Sequence, residues 1–120
     1  MAKRAMYQEK TIIGLLEKVT IIGNGKKKTL TAKIDTGATK SSMDSRLAAS
    51  LQLGPVIKTK LVKSAHGNKL RPIIEADIKF AGKEMKSEFT LADRIHMKYH
   101  VLIGQNILKY GFLIDLSKKK

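Results

Sequence analysis

Residues 33–42 read KIDTGATKSS, which sets one aspartate, Asp35, directly behind a strand-forming run and just ahead of a glycine. The tripeptide Asp35-Thr36-Gly37 by itself fits an ordinary β-turn, in which Asp and Thr cap backbone N–H groups and Gly supplies conformational freedom. Three features of its surroundings point further. The run TLTAKI at 29–34 ends on the aspartate, so the carboxylate stands at a strand end, where a sheet can hold it firmly. Ala38 keeps the following position small, which lets a second chain approach closely. Downstream, VLIG at 101–104 is an apolar stretch ending in glycine and leading into a helix-like QNILKY, with Gly104 lying 69 positions after Asp35.

Working outward from that aspartate, residues 11–22 read as one extended or bent strand, and GNGKKK at 23–28 supplies hairpin-turn chemistry. After the D-T-G turn, Asp44 is suited to cap a short helix carrying Leu47 and Leu51 at i,i+4, which Gly54 and Pro55 stop. Residues 58–63 and 70–74 are strand candidates joined by SAHGN as a hairpin tip. Pro72 donates no ladder hydrogen bond, so this hairpin is expected at an edge or projecting free of the sheet. Residues 76–80 alternate as a half-buried strand, AGKEMK at 81–86 reads as its turn, and 89–91 as the return. Gly111 ends the helix after VLIG, and FLIDL at 112–116 is a last strand, expected at a dimer interface or at the closure of a barrel. Many short strands, turn signals about every ten residues and two brief helices make an all-β class, a small barrel or sandwich.

The totals narrow the class. A chain of 120 residues suits one domain: a basic N-terminal extension at 1–10, a folded unit at 11–117 and a lysine tail at 118–120. No apolar run approaches bilayer length, and the first ten residues are basic and polar rather than signal-like. The absence of cysteine removes disulfides and thiolate metal sites and fits a cytoplasmic location. Against 10 acidic residues stand 24 Lys and Arg, a formal charge of +14 that draws the chain to polyanions and acidic peptides. The basic helix, or the aromatics alternating with arginines, that a nucleic-acid groove reader shows is missing from the pattern.

Asp35-Thr36-Gly37-Ala38 taken together with Ile103-Gly104-Gln105-Asn106-Ile107-Leu108 resembles the retropepsin-like aspartic proteases. More narrowly, AKIDTGA, RPIIE, FTLADR and VLIGQNIL resemble the small prokaryotic proteins catalogued as ATP-dependent zinc proteases. The resemblance implies a small closed retropepsin-like barrel acting as an aspartic endopeptidase. Such an enzyme needs two carboxylates sharing a proton across a water, and this chain carries one D-T-G. It therefore implies a homodimer, with Asp35 facing Asp35 of the partner subunit. In the implied roles Asp35 is catalytic, Thr36 bonds across the two-fold axis, and Gly37 forms the turn with its N–H directed at the carboxylate. Leu102, Ile103 and Gly104 pack behind that loop. Ala65, His66, Gly67 and Asn68 form the tip of a flap over bound peptide, and Arg71 is either a substrate or interface contact or an exposed strand arginine. Ala38, where some relatives carry serine, removes a hydroxyl donor to the carboxylate and implies activity less shifted toward acid.

A metal reading finds little support in the residues. His96 and His100 have the spacing of H-E-x-x-H but lack its glutamate, Lys98 lies between them, and in an extended lead-in to a strand they stand about 13 Å apart. No phosphate-binding glycine loop is present, so neither a metal nor a nucleotide cofactor is expected. The alternative from another functional class is a basic dimeric module that binds nucleic acid or acidic peptides without cutting.

Overall fold

The computed structural model describes residues 9–65 and 67–118, so the expectations for residues 1–8, for His66 at the hairpin tip and for the last two lysines lie outside the described residues. In chain order the elements are β1 (Thr11–Ile13), β2 (Leu16–Ile22), β3 (Lys27–Ile34), β4 (Ser41–Asp44), α1 (Ser45–Ser50), β5 (Lys58–Ser64), β6 (Gly67–Phe80), β7 (Lys83–Ala92), β8 (Val101–Ile103), α2 (Gln105–Leu108) and β9 (Phe112–Ile114).

Six of these strands close a barrel in the order β2-β3-β8-β4-β7-β6, with β6 returning antiparallel onto β2 from Val19↔Phe80 to Ile22↔Asp77. Period-two alternation drives the closure. Along β6, Ile74, Ala76, Ile78 and Phe80 are buried while Glu75, Asp77 and Lys79 face outward. Val19, Ile21, Ala32, Ile34, Met43, Phe89, Val101 and Ile103 fill the interior from the other strands, Leu47 and Ile107 join from the helices, and Leu51 from the residue that ends α1. Each of the larger side chains among them stabilises the fold by about 1.5–3 kcal/mol. The chain is mostly β with two short helices, as its strand and turn pattern indicates.

Several boundaries differ from the sequence expectation. Residues 11–22 form two strands, because Gly14 breaks the run: its N–H donates to Glu17 Oε2 at 2.7 Å, and Ile13 is already fully buried. β1 then pairs with β9 in a separate parallel ribbon, from Thr11↔Phe112 to Ile13↔Ile114. The last strand therefore does not close the barrel. It docks on it through Phe112, whose ring meets Phe80 edge-on at 5.2 Å.

In AGKEMK only Ala81 and Gly82 turn, both at positive φ (49° and 81°), a two-residue connection that matches strand twist. The rest belongs to β7, where Lys79↔Glu84 and Asp77↔Lys86 set opposite charges across the ladder. The two strand candidates at 70–74 and 76–80 are one continuous 14-residue strand, β6. Its pairing with β7 begins at Ile73↔Thr90, one residue past Pro72. Residues 67–72 pair with β5 alone, so the β5–β6 hairpin projects beyond the barrel, as the proline requires.

β4 was not anticipated as a strand. It runs parallel to β7 and antiparallel to β8, with Ser41, Met43 and Asp44 buried. Asp44 caps α1 as expected, its side chain accepting from the Arg46 N–H at 3.1 Å. Gly23, at the end of β2, lies so close to the backbone of Leu51 after α1 that a Cβ there would overlap the Leu51 carbonyl. Gly23→Ala is expected to cost about 1–3 kcal/mol, the range for overpacking, read as a lower urea midpoint with an unchanged m value.

Candidate functional site

Asp35 follows directly on Ile34, the end of β3, and its backbone N–H donates to Ile103 O at 2.9 Å. The chain then turns, with Ala38 N–H donating to Asp35 O at 3.3 Å. The Gly37 N–H donates to Asp35 Oδ1 at 2.9 Å, and a Cβ on Gly37 would crowd that oxygen at 3.3 Å. The half-buried carboxylate is thus oriented by its own turn, while Thr36 and Gly37 are exposed beside it.

The turn is fastened from behind by the β8–α2 junction. Gln105 N–H donates to Ala38 O at 2.8 Å, Asn106 N–H to Thr39 O at 3.2 Å, and the Gln105 amide to Thr36 O at 2.7 Å. Such an approach requires glycine at 104, because a Cβ would stand 2.5 Å from Lys40 O and 2.7 Å from Ala38 O. The Asn106 side chain completes the junction. Its oxygen accepts from Ser41 N–H (2.8 Å) and Ser41 Oγ (2.7 Å), and its nitrogen donates to Glu88 O at 2.9 Å. Gly104 N–H donates in turn to Ser41 Oγ at 2.9 Å.

Beside the turn opens a cleft of about 470 Å³. Gly37, Ala38 and Leu102 form part of its floor, and Lys60, Val62, Lys63 and Arg71 reach in from the β5–β6 hairpin. Lys40 and Arg94 complete a lining with five cations. Lys60 also donates to Thr39 Oγ1 at 3.0 Å, and Lys58 lies 3.3 Å from Glu88, so two hairpin lysines rest on the barrel. Glu88 meets Lys40 at 2.6 Å, and chiefly that hydrogen bond holds its carboxyl below the usual range.

Arg94 is placed with care by its neighbours. Its backbone N–H donates to Oδ1 of the buried Asp44 at 2.8 Å and its Nε to Tyr99 O at 3.1 Å. Burial pushes its guanidinium pKa down, Arg71 adds to that effect, and the charges of Asp35 and Asp44 oppose it.

Of the residues singled out in sequence, the structure brings Asp35, Thr36, Gly37, Ala38, Leu102, Ile103 and Gly104 together. Ile103 is fully buried behind the turn, whereas Leu102 lines the cleft. Ala65, Gly67 and Asn68 are exposed at the hairpin end. Arg71 is half-buried in the cleft rather than an exposed strand arginine. His96 and His100 lie on the irregular loop at 93–100, not in an extended lead-in, and among the described residues no three His, Asp or Glu gather as a metal site. Lys40, Lys60 and Lys63 escaped the sequence reading, and Arg94, Gln105 and Asn106 entered it only inside the resemblance motifs, with no role at the site. The excess charge announced the cations without saying which of them converge, and the amide pair directly after Gly104 was the available sign of the junction.

A model of the RimB-like family, described as retropepsin-like aspartic endopeptidase RimB, matches residues 43–120, a stretch beginning after the D-T-G turn. No curated protein matches the chain. Among solved structures, a Legionella pneumophila protein of unknown function is similar with a TM-score of 0.65 and 23% identity over 91% of this chain and 95% of its own. The protease of Simian Foamy Virus (mac) aligns at a TM-score of 0.59 and 22% identity, covering 79% of this chain and 92% of its own. The EIAV protease, solved with an inhibitor, aligns at 0.62 and 22%, covering 78% and 84%. At these identities the likeness establishes the fold, a retropepsin-like barrel.

Removal of the Asn106 side chain leaves Ser41 and the Glu88 carbonyl without their partners, so Asn106→Ala is expected to cost about 2–3 kcal/mol in chemical denaturation. A pH effect follows from Glu88. Its folded pKa is depressed, so its contribution is complete above the unfolded value of 4.5 and is lost as pH falls through the folded one. Glu88→Gln should lower the melting temperature at neutral pH and flatten its decline on acidification; identical pH profiles for the two proteins would contradict this.

Proposed function

The chain belongs to the RimB-like family of retropepsin-like aspartic endopeptidases, and from that premise we propose that it hydrolyses peptide bonds as a homodimer whose two Asp35 carboxylates activate one water. The observation that carries this reading is the Asp35 carboxylate itself, fixed at a strand end by the Gly37 N–H and set beside a cleft. One D-T-G per chain supplies half of the required pair. The exposure of Thr36 next to Asp35 leaves that face free to meet a second copy. Exposed Ile12, Leu15 and Leu116, on and beside the β1–β9 ribbon, are apolar surface that a partner would cover.

Hydrolysis then proceeds by general acid–base catalysis. The ionised carboxylate takes a proton from water as the oxygen attacks the peptide carbonyl carbon. The protonated carboxylate of the partner subunit gives its proton to the carbonyl oxygen, forming a tetrahedral diol. Collapse of the diol returns one hydroxyl proton to a carboxylate, the other carboxyl protonates the leaving nitrogen, and the C–N bond breaks. Repulsion between two adjacent carboxylates keeps one proton on the pair throughout. The β5–β6 hairpin serves as the flap that excludes water during these steps. Five cations lining the cleft favour acidic peptides in extended form. No step calls on ATP or zinc. With no cysteine in the chain, the reading places it in the cytoplasm. No helix among the described residues is long and apolar enough to cross a membrane.

Asp35→Asn is expected to lower peptidase activity by about 10²–10⁴-fold while leaving folding intact, and a pepstatin-type mimic should inhibit the wild type. With Ala38 beside the carboxylate, the pH optimum should lie above about 4. Activity that persists in Asp35→Asn, that disappears with a chelator, or that belongs to a strict monomer would overturn the reading.

A further inference from the structure

The cleft holds an electrostatic arrangement that the hydrolytic mechanism does not use. Arg71 Nε is the only buried side-chain nitrogen or oxygen among the described residues that has no hydrogen-bond partner. Its guanidinium lies in the same cleft as that of Arg94, close enough for the two positive charges to oppose one another. An unpaired buried donor and a repelling pair of cations both disfavour the folded chain. Neighbouring structure nevertheless holds them there. Arg94 is anchored at its backbone by the buried Asp44 and at Nε by Tyr99 O. Arg71 stands on β6 directly before Pro72, in the part of that strand that pairs with β5 alone. Lys40 and Lys60, the nearby lysines with partners, are engaged by Glu88 and Thr39. Two guanidiniums thus line one space, Arg71 with an unused donor on the projecting hairpin and Arg94 on the barrel.

What satisfies both is a planar anion with two oxygens, since a guanidinium fork matches a carboxylate in bidentate geometry. Resting on the peptidase reading, we propose that Arg71 and Arg94 form a carboxylate clamp, in which an acidic side chain of the substrate bridges the hairpin to the barrel beside Asp35. The clamp has two consequences. It selects acidic substrates by named residues rather than by diffuse charge. It also couples selection to closure, because a carboxylate between the guanidiniums converts a repulsion that lifts the hairpin into an attraction that seats it. Arg71 and Arg94 are specificity-determining residues in this scheme, and Asp35 remains the catalytic one.

The test uses the full-length chain and peptides with amidated C-termini, supplied in pairs that differ by Glu or Gln at one position, scanned along the sequence. The wild type should prefer Glu over Gln by about tenfold or more in kcat/KM at one or two positions. The Glu/Gln ratio should fall to within about twofold of unity in Arg71→Gln and Arg94→Gln, and to an intermediate value in Arg71→Lys, which keeps the charge and loses the fork. Lys86→Gln, on the outer face of β7 and away from the cleft, removes the same charge and should leave the ratio unchanged. Because the readout is a ratio, a general loss of stability or rate cancels. A ratio near unity in the wild type, one that survives in both arginine variants while both rates fall, or one reduced equally by Lys86→Gln overturns the clamp. A preference seen only for peptides with free C-termini does the same.

A second arm is independent of turnover. Anisotropy of fluorescein-labelled peptides on Asp35→Asn should show the same tenfold preference for Glu, lost when Arg71→Gln is added. If the wild type cleaves nothing but this preference is present, the peptidase reading fails and the clamp stands. Equal binding of both peptides sinks the clamp whatever the enzyme does.

Discussion

The candidate site depends on one junction: the backbone of the D-T-G turn laid against the start of α2. Asp35, Ala38 and Thr39 share main-chain hydrogen bonds with Ile103, Gln105 and Asn106, and the Gln105 side-chain amide donates to the Thr36 carbonyl. Two segments separated by almost seventy residues approach so closely that position 104 has no room for a side chain. A loop on a protein surface is ordinarily its most mobile part. Here the loop has its backbone groups committed to a helix start and a buried strand, so the Asp35 carboxylate is held by the same bonds that hold the fold.

That commitment extends inward through Ser41 and Asn106. Buried polar groups cost stability unless they are satisfied, and fully satisfied networks rigidify what they connect. Ser41, fully buried, reaches both Asn106 and Gly104, while Asn106 reaches on to β7. The network explains why a polar segment such as SSMD forms an interior barrel strand. Neither its composition nor its short length favours that outcome, but each of its groups has a partner waiting. Asp44 repeats the logic at the other end of the strand, capping α1 with one oxygen and seating the Arg94 loop with the other.

The cleft shows the opposite balance. Around the D-T-G turn the junction's polar groups are paired, whereas on the cleft wall Arg71 retains an unmet donor and two guanidiniums stand in mutual repulsion. Under the proposed clamp, stability is sacrificed where a bound carboxylate returns it, and kept where geometry must not change. The projecting hairpin lies between these regimes. It is tied to the barrel by Lys58 and Lys60 at the cleft's edge, and it is free of β7 beyond Pro72.

The sequence by itself determined the class of fold and singled out Asp35 as the candidate reactive group. Alternation along residues 74–80, turn glycines and the D-T-G and VLIG segments are local patterns, and local patterns survive in a one-dimensional reading. The proline that frees the hairpin and the aspartate that caps α1 were legible for the same reason. Tertiary structure alone decided the rest. It broke residues 11–22 in two by giving Ile13 a partner at the far end of the chain, and it made a strand of Ser41–Asp44 by supplying Asn106. It also chose which of 24 basic residues would meet in one cleft. These outcomes hang on contacts between distant segments, and no spacing within a single segment encodes which distant group will arrive.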